Sequence, residues 1–283
     1  RWFDEEGTEK LMQYFGSIVF EFPLGEAIRQ GFLTPYIYYP RIVSLNDEEY
    51  QDYVDITSKI ARVWAAHAES EEAPVGLEPL LYKRARLIAN AEMKIPSLID
   101  ALRDKLETTH NIVYCGPGRA GDGSERQLDR VLRVLGHKLG MKVRRFTAEE
   151  DAETRRQILR SFESGSLQCL VAIRCLDEGV DVPAVRRAFI LASSRNPREF
   201  VQRRGRVLRK HPSKEVAEIY DFIVVPTPPD QIASLPKELW AIERRLFQRE
   251  LERITDFAAH ALNGPEVMES LLPIRKAYHL LHV

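Results

Sequence analysis

The chain has 283 residues, of which 44% are hydrophobic and 29% charged, and its formal net charge is -1. This composition is that of a globular protein with one large or two moderate domains, and it excludes a low-complexity or disordered chain. No apolar run reaches the roughly 20 residues that cross a bilayer, and the charged start is no signal peptide. We therefore expect a cytoplasmic protein without a membrane partner, in which any nucleic-acid surface is a local patch.

Cysteine and histidine residues give no metal-binding pattern. The three cysteines, Cys115, Cys169 and Cys175, are odd in number and lack metal-ligand spacing, which predicts reduced, buried thiols. His279 and His282 lie three residues apart without cysteine or carboxylate partners nearby, so no metal site is predicted there.

The first 107 residues are predicted to contain two strands and four helices, in the order strand, helix, strand and three helices. Pro40 favours either an edge position or a bend for the second strand, Asn46 is a candidate helix N-cap, and residues 68–79 are predicted to form a loop. The predicted elements are a strand at 17–22, a helix at 24–32, a strand at 36–45, and helices at 45–67, 79–92 and 95–107.

From residue 111 onward, short apolar strands alternate with amphipathic helices. Strands are predicted at "NIVYC", "KVRRF", "LQCLVAI", "VRRAFIL" and "VAEIYDFIVV", and helices at 123–139, 150–164 and 196–208. This alternation demands a mainly parallel sheet with helices on both faces, so the predicted fold class is α/β. A charged helix of roughly 25 residues follows from Gln231, and Gly264-Pro265 interrupts it.

Two loops, expected at adjacent strand ends, carry the candidate site, because ligands of open parallel sheets bind at the carboxyl ends of the strands. The loop 174–183 places Gly179 among acids, where it suits a tight turn against a ligand, and Asp181 could accept hydrogen bonds from a ribose. An ordinary connection with solvated acids is the alternative.

The second loop leads into a dense basic cluster. Residues 195–210 hold seven basic side chains against one acid, Glu199. Arg206 and Arg209 are three apart on the predicted helix, with Gln202 one turn earlier, and such a stripe could hold a polyphosphate. Arg203, Arg204 and Lys210 would project elsewhere, toward a nucleic-acid backbone or the acids of a neighbouring domain. A solvated basic helix is the alternative.

These two segments resemble motifs V and VI of the superfamily 2 helicases and translocases. "LVAIRCLDEGVDVP" is similar to motif V, and "QRRGRVLR" matches the motif VI pattern Q-x-x-G-R-x-x-R at every defined position. "HNIVYCG" resembles the strand that opens motif IV. The likeness covers roughly residues 34–225 and is closer to DNA repair helicases and restriction-enzyme translocases than to DEAD-box RNA helicases.

The resemblance implies a RecA-like sheet and a role for each matching residue. Arg206 and Arg209 would reach the ATP γ-phosphate, Arg209 as the arginine finger, and Gln202 would lie near the attacking water. Gly179 and Asp181 would approach the nucleotide. Thr147 stands where relatives contact a nucleic-acid phosphate, and Arg174 replaces the threonine or serine that many relatives carry.

The sequence lacks the other half of such a site. No G-x-x-x-x-G-K-[ST] P-loop is present, nor the carboxylate pair that holds Mg²⁺. We therefore expect an upstream RecA-like domain to supply the magnesium ligands. Residues 1–33 would be the tail of that domain or a linker. Residues 34–225 would form the second RecA-like domain, including a helical segment at 45–107, and residues 226–283 a helical extension.

The predicted function is that of the C-terminal half of an ATP-dependent DNA helicase or translocase, with ATP and Mg²⁺ as cofactors. DNA and the upstream domain are the expected partners, and nuclease or methyltransferase partners are left open. The fragment alone is expected to be inactive. An RNA helicase and a non-catalytic module that binds nucleic acid or a protein partner are the alternatives.

Overall fold

The computed structural model describes residues 5–66, 76–116, 126–173, 182, 184–192, 201 and 204–282. Six strands lie in these ranges: β1 (Tyr36–Val43), β2 (Asn111–Tyr114), β3 (Val143–Phe146), β4 (Cys169–Ala172), β5 (Arg187–Ile190) and β6 (Ala217–Val224). They form one sheet in the order β1-β6-β5-β2-β4-β3, and every neighbouring pair is parallel. The parallel sheet predicted from the alternating sequence is confirmed.

Pro40 fits its strand because β1 lies at the edge of the sheet. A proline has no backbone N–H to donate to a neighbouring strand, so within sheets it is confined to edge strands, the first residues of strands and bulges. β1 pairs only with β6 among the described strands, over the eight positions from Tyr36 to Val43. The edge position predicted from Pro40 is confirmed.

Helices cover both faces of the sheet. In the described residues they are α1 (Glu5–Phe15), α2 (Leu24–Arg29), α3 (Asp47–Ala66), α4 (Leu77–Ala89), α5 (Lys94–Leu102), α6 (Gln127–Arg133), α7 (Ala152–Glu163), α8 (Lys237–Ala258), α9 (Gly264–Ser270) and α10 (Leu272–Ala277). Apolar residues of α7, α8, α9 and α10 pack on one face of the sheet, and those of α5 and α6 on the other. This is an α/β fold with a parallel sheet between two layers of helices, as predicted.

The strand predicted at residues 17–22 is wrong. This segment forms neither strand nor helix, and Val19 and Phe20 are exposed. A β-branched and aromatic run becomes a strand only where another strand accepts its backbone hydrogen bonds. No strand among the described residues pairs with it.

The long helix α3 begins where its capping residues predict. The Asn46 side chain accepts a hydrogen bond from the Glu49 amide at 2.8 Å, and the Glu49 carboxylate accepts one from the Asn46 amide at 3.3 Å. This reciprocal pair satisfies two amides that the first helical turn leaves without partners. Tyr53, Thr57 and Ile60 on the predicted apolar face are buried, whereas Trp64 near the helix end is exposed.

The C-terminal helix α8 packs on the sheet through apolar and charged groups. Phe247, Leu251 and Ile254 belong to the same core as β1 and β6. Arg253 forms a buried ion pair with Asp221 of β6, and the Tyr38 hydroxyl of β1 donates to the same carboxylate at 2.8 Å. The extension and the sheet therefore share one hydrophobic core.

No helix among the described residues combines the length and apolar character needed to cross a membrane. Among the cysteines, Cys115 and Cys169 are buried free thiols, as predicted, while Cys175 lies outside the described residues. No group of three or more His, Cys, Asp and Glu side chains suited to a metal ion occurs in the part of the chain that the structure describes.

Candidate functional site

The arginine segment, residues 201–211, follows β5 and lies against the N-terminal part of the chain. Val201 and residues 204–207 are helical, Arg206 is half-buried and Arg209 is exposed. Neither guanidinium group of the predicted phosphate-binding pair is therefore enclosed in the core. Gln202 and Arg203 lie outside the described residues, so the glutamine's place near a nucleotide stays a prediction.

Arg209 is not part of the helix, contrary to the sequence prediction. The helix ends at Val207, and Arg209 forms an antiparallel bridge with Leu33. The Arg209 amide nevertheless donates to the Arg206 carbonyl oxygen at 3.4 Å, which is an i to i+3 contact of the kind that tightens the last turn of a helix. Arg206 and Arg209 thus remain one turn apart, held by this contact rather than by a continuous helix.

Two buried groups fix the end of the arginine helix. The Lys214 ammonium donates to the Val207 carbonyl at 2.7 Å and to the Val185 carbonyl at 3.0 Å. The Thr34 amide donates to the Leu208 carbonyl at 2.7 Å. Carbonyls of the last turn have no partner within their own helix, so these contacts hold the backbone that precedes Arg209.

Burial lowers the pKa of Lys214 to about 8. The carbonyl oxygens around its ammonium favour the charged form, as hydrogen bonds to a cation do. Sequence analysis did not identify this role for Lys214 or Thr34, because neither belongs to the motif and Thr34 lies far from it along the chain.

Arg204 lies on the same helix but is almost fully buried, with 4% of its surface exposed. Its Nη1 lies 2.8 Å from Oδ2 of Asp256 in α8 and donates to the Asp256 carbonyl oxygen at 3.1 Å. Its guanidinium carbon also stands 4.7 Å from the centre of the Phe257 ring. The sequence predicts that Arg204 projects toward a nucleic-acid backbone or the acids of a neighbouring domain. The structure instead places it against an acid of α8, a helix that shares the core of the sheet. Lys210 is exposed.

The loop 174–183 after β4 falls mostly outside the described residues. Arg174, Gly179 and Asp181 are among the residues not described, so their predicted roles stay predictions. The loops after β4 and β5 were expected at adjacent strand ends, and this is wrong, because β2 lies between the two strands. The chain leaving β2 nevertheless approaches β5 closely, since a Cβ at Gly116 would stand 3.3 Å from that of Ala192.

Thr147 is buried at the carboxyl end of β3 and is engaged by Glu150. Its hydroxyl donates to Oε2 of Glu150 at 2.8 Å, and its amide donates to the same oxygen. Arg145 pairs with the other oxygen of this carboxylate at 3.0 Å, and Arg155 donates to the Thr147 carbonyl at 2.9 Å. The pattern T-x-x-E at residues 147–150 is that of a capping box and is readable from the sequence. A phosphate contact by Thr147 stays a prediction, with two arginines beside it.

Residues 93–211 match the family model for the helicase conserved C-terminal domain. The resemblance to the second, C-terminal RecA-like domain of superfamily 2 helicases and translocases is thereby confirmed. The matched range contains β2 to β5 and the arginine segment.

Relatives of known name cover parts of the chain. A 64-residue segment, 23% of the chain, is 41% identical to DNA 3'-5' translocase XPB2 of Sulfurisphaera tokodaii and spans 15% of that protein. A 194-residue segment, 67% of the chain, is 26% identical to UvrABC system protein B of Methanococcus maripaludis and spans 29% of that protein. The matched segments thus span less than a third of these relatives. The helicase domain of Hef from Pyrococcus furiosus is 14% identical, with a TM-score of 0.48 over 79% of this chain and 62% of that one.

Proposed function

We propose that this chain acts as the C-terminal half of an ATP-dependent DNA translocase or helicase. Its arginine segment would complete an ATP site whose P-loop and magnesium ligands belong to a preceding RecA-like domain. Residues 34–225 would be the second RecA-like domain of that engine, with residues 226–283 as a helical extension. The similarity to a protein named as a DNA translocase supports DNA rather than RNA as the nucleic acid along which it moves.

The observation that carries this proposal is the placement of two arginines in a motif VI sequence. Arg206 is half-buried and Arg209 exposed, and buried contacts from Lys214 and Thr34 fix the backbone beside them. A guanidinium group that reaches solvent from a fixed backbone suits recognition of phosphate oxygens, to which arginine binds through two parallel hydrogen bonds. ATP, when bound with Mg²⁺, supplies the phosphoryl group whose charge such an arginine neutralises.

The remaining assignments rest on the motif pattern. Arg209 would serve as the arginine finger and Arg206 as a second phosphate ligand, with Gln202 near the attacking water and Gly179 and Asp181 at the nucleotide. Thr147 and Arg174 would contact the nucleic-acid backbone. Domain closure would bring the arginine segment to the nucleotide, so that hydrolysis is coupled to movement along DNA.

The test compares Arg209→Ala with Lys210→Ala in the full-length protein. Both remove one exposed cation from neighbouring positions, so general charge effects are matched. We expect Arg209→Ala to lower DNA-stimulated ATP turnover by roughly 10³-fold or more, as for other arginine fingers, with only a modest change in ATP affinity. Lys210→Ala should stay within about 3-fold of wild type.

The same preparation discriminates the alternatives. Stimulation of turnover by RNA but not by duplex or single-stranded DNA would favour an RNA helicase. Salt-dependent nucleic-acid binding that ignores nucleotide, with no ATPase activity even in the full-length protein, would favour a binding module. The 283-residue chain alone should hydrolyse little or no ATP, and robust magnesium-dependent turnover by it would refute the shared site.

A further inference from the structure

The buried side of the arginine helix points to a second role for the C-terminal extension. Arg204 and Arg206 are two residues apart, which places their side chains about 200° apart around a helix. Arg204 is buried against α8, whereas Arg206 is half-buried. The contact between Arg204 and α8 therefore determines how far the helix is rotated about its own axis, and with it the direction of Arg206.

We propose that Arg204 is a positioning residue, whose contact with Asp256 and Phe257 lets the C-terminal extension set the orientation of Arg206 toward phosphate. Arg209, outside the helix, would be affected only through the hydrogen bond from its amide to the Arg206 carbonyl. This inference rests on the proposed function of those two arginines. Arg204 itself would touch neither nucleotide nor DNA and would act through the helix that carries Arg206.

The geometry around Arg204 restrains orientation in three ways. The N–H of Nη1 is directed at the Asp256 carbonyl oxygen, 3.1 Å away, so the carboxylate at 2.8 Å adds an electrostatic contact rather than a second hydrogen bond. The guanidinium group also lies against the Phe257 ring, at 4.7 Å. A hydrogen bond, a charge and a stacked ring together define the plane and direction of the group far better than any one of them would.

The other contacts of this segment do not fix the rotation of the helix about its own axis. Lys214 and Thr34 bind backbone carbonyls at the end of the helix, and these fix where the helix stops rather than which way its side chains point. The Arg204 side chain is 4% exposed but that of Asp256 is 44% exposed, and a pair so open to solvent on one side adds little net stability. Retention of a charged contact at this buried position is therefore better explained by the orientation it imposes than by the energy it contributes.

Asp256 lies near the end of α8, which makes the contact a link between two functional regions. The same helix is joined to the sheet by the ion pair of Arg253 with Asp221. A displacement of α8 relative to the sheet, by DNA or a partner on the extension, would reach the arginine helix through Arg204. A misplacement of about 1 Å in a catalytic group can lower a rate about 100-fold, so a small movement is sufficient.

The test measures ATP turnover of the full-length protein carrying Arg204→Met, with Arg204→Lys and Asp256→Asn as milder variants. Methionine keeps an unbranched stem and loses the charge and the hydrogen bonds. We expect Arg204→Met to lower kcat by 10-fold to 100-fold, with KM for ATP and Kd for DNA within about 3-fold of wild type. Arg204→Lys and Asp256→Asn should give smaller losses of kcat, and the Arg204→Met/Asp256→Asn double variant should lose no more than Arg204→Met alone.

Two control variants match the charge changes. Lys210→Met removes an exposed cation from the same segment, and Glu252→Gln neutralises an exposed carboxylate on α8. Both should keep wild-type kcat. Turnover is measured well below the Tm of each variant, so that a loss of folded protein does not contribute to the change in kcat.

The outcomes separate the two proposals. If Arg209→Ala abolishes turnover while all three single substitutions at Arg204 and Asp256 retain wild-type kcat, the positioning role is wrong and the shared ATP site stands. If Arg209→Ala is itself active, the proposed function fails first. Should Arg204→Met not fold, Arg204→Lys and Asp256→Asn decide, and a fall in Tm without a fall in kcat in both would show that the contact serves stability alone.

Discussion

Replacing Arg253 with methionine should destabilise the fold far more than replacing its partner Asp221 with asparagine. Asp221 is fully buried in β6, where it pairs with Arg253 and accepts a hydrogen bond from the Tyr38 hydroxyl. Arg253 is 7% exposed and has a second carboxylate partner, Glu250, one turn earlier on α8. Loss of the arginine leaves a buried carboxylate without its ion-pair partner, whereas loss of the aspartate charge leaves the arginine still paired.

The size of the effect follows from that asymmetry. Removing one member of a buried ion pair costs about 3–5 kcal/mol when the other charge is stranded, which is the expectation for Arg253→Met. Asp221→Asn keeps a polar group of the same shape beside Tyr38, so its cost should be about 1–3 kcal/mol, in the range of a weakened buried hydrogen bond. The double variant should be more stable than Arg253→Met alone, because it no longer buries an unpaired charge.

The assay is urea unfolding with linear extrapolation to water, compared with Arg245→Met as an exposed control on the same helix. Burial already raises the pKa of Asp221, and Arg253 opposes that rise. Without Arg253 the folded-state pKa is raised further, so the stability that the protonated carboxyl provides is present at low pH and lost as pH rises. The defect of Arg253→Met should therefore shrink near pH 4. A cost below about 1 kcal/mol at pH 7, or one equalled by Asp221→Asn, would refute this reasoning.

Two further results are expected. Burial raises the pKa of Glu243, which accepts hydrogen bonds from Thr227 at 2.9 Å and Tyr278 at 2.8 Å. The stability that the protonated carboxyl provides is therefore lost as pH rises from 4.5, the ordinary pKa of the group. In urea titrations between pH 4.5 and 7, Glu243→Gln should gain stability relative to wild type as pH rises, and a constant difference would contradict this. Burial also raises the pKa of the Cys115 and Cys169 thiols. Iodoacetamide should therefore leave both cysteines unmodified in the native chain and alkylate them in denaturant, which peptide mass spectrometry measures. Rapid alkylation of the native chain would show that the thiols are exposed to solvent.

Periodicity predicted the elements that neighbouring residues determine. Asn46 and Glu49 form a local capping box, and the left-handed conformation of Gly165 ends α7, so both boundaries could be read from a few adjacent letters. Pro40 predicted the edge strand through the amide that it lacks. The order of the strands within the sheet was less accessible, because β2 lies between β4 and β5 through contacts distant in sequence.

The failures have one physical cause, which is dependence on partners that a local pattern does not contain. Residues 17–22 have the side chains of a strand, but no described strand pairs with them. Arg209 follows a helical pattern, yet its backbone is drawn into a bridge with Leu33. The motif VI spacing identified Arg206 and Arg209 as candidates, whereas Lys214, Thr34 and Asp256 entered the site only through long-range contacts.

The distribution of charge along the arginine segment explains how so basic a sequence can be held in place. Several guanidinium groups on one short helix repel each other and resist packing against an apolar sheet. Arg204 meets that difficulty by burial against Asp256 and Phe257, so one side of the helix becomes compatible with the core while the opposite side carries Arg206 toward solvent. A helix with all its arginines solvated would have no fixed rotation, and one with all of them buried could reach no phosphate. The division between a neutralised inner side and a charged outer side is thus the property that a phosphate-binding arginine segment requires, and it depends on α8 as much as on the motif itself.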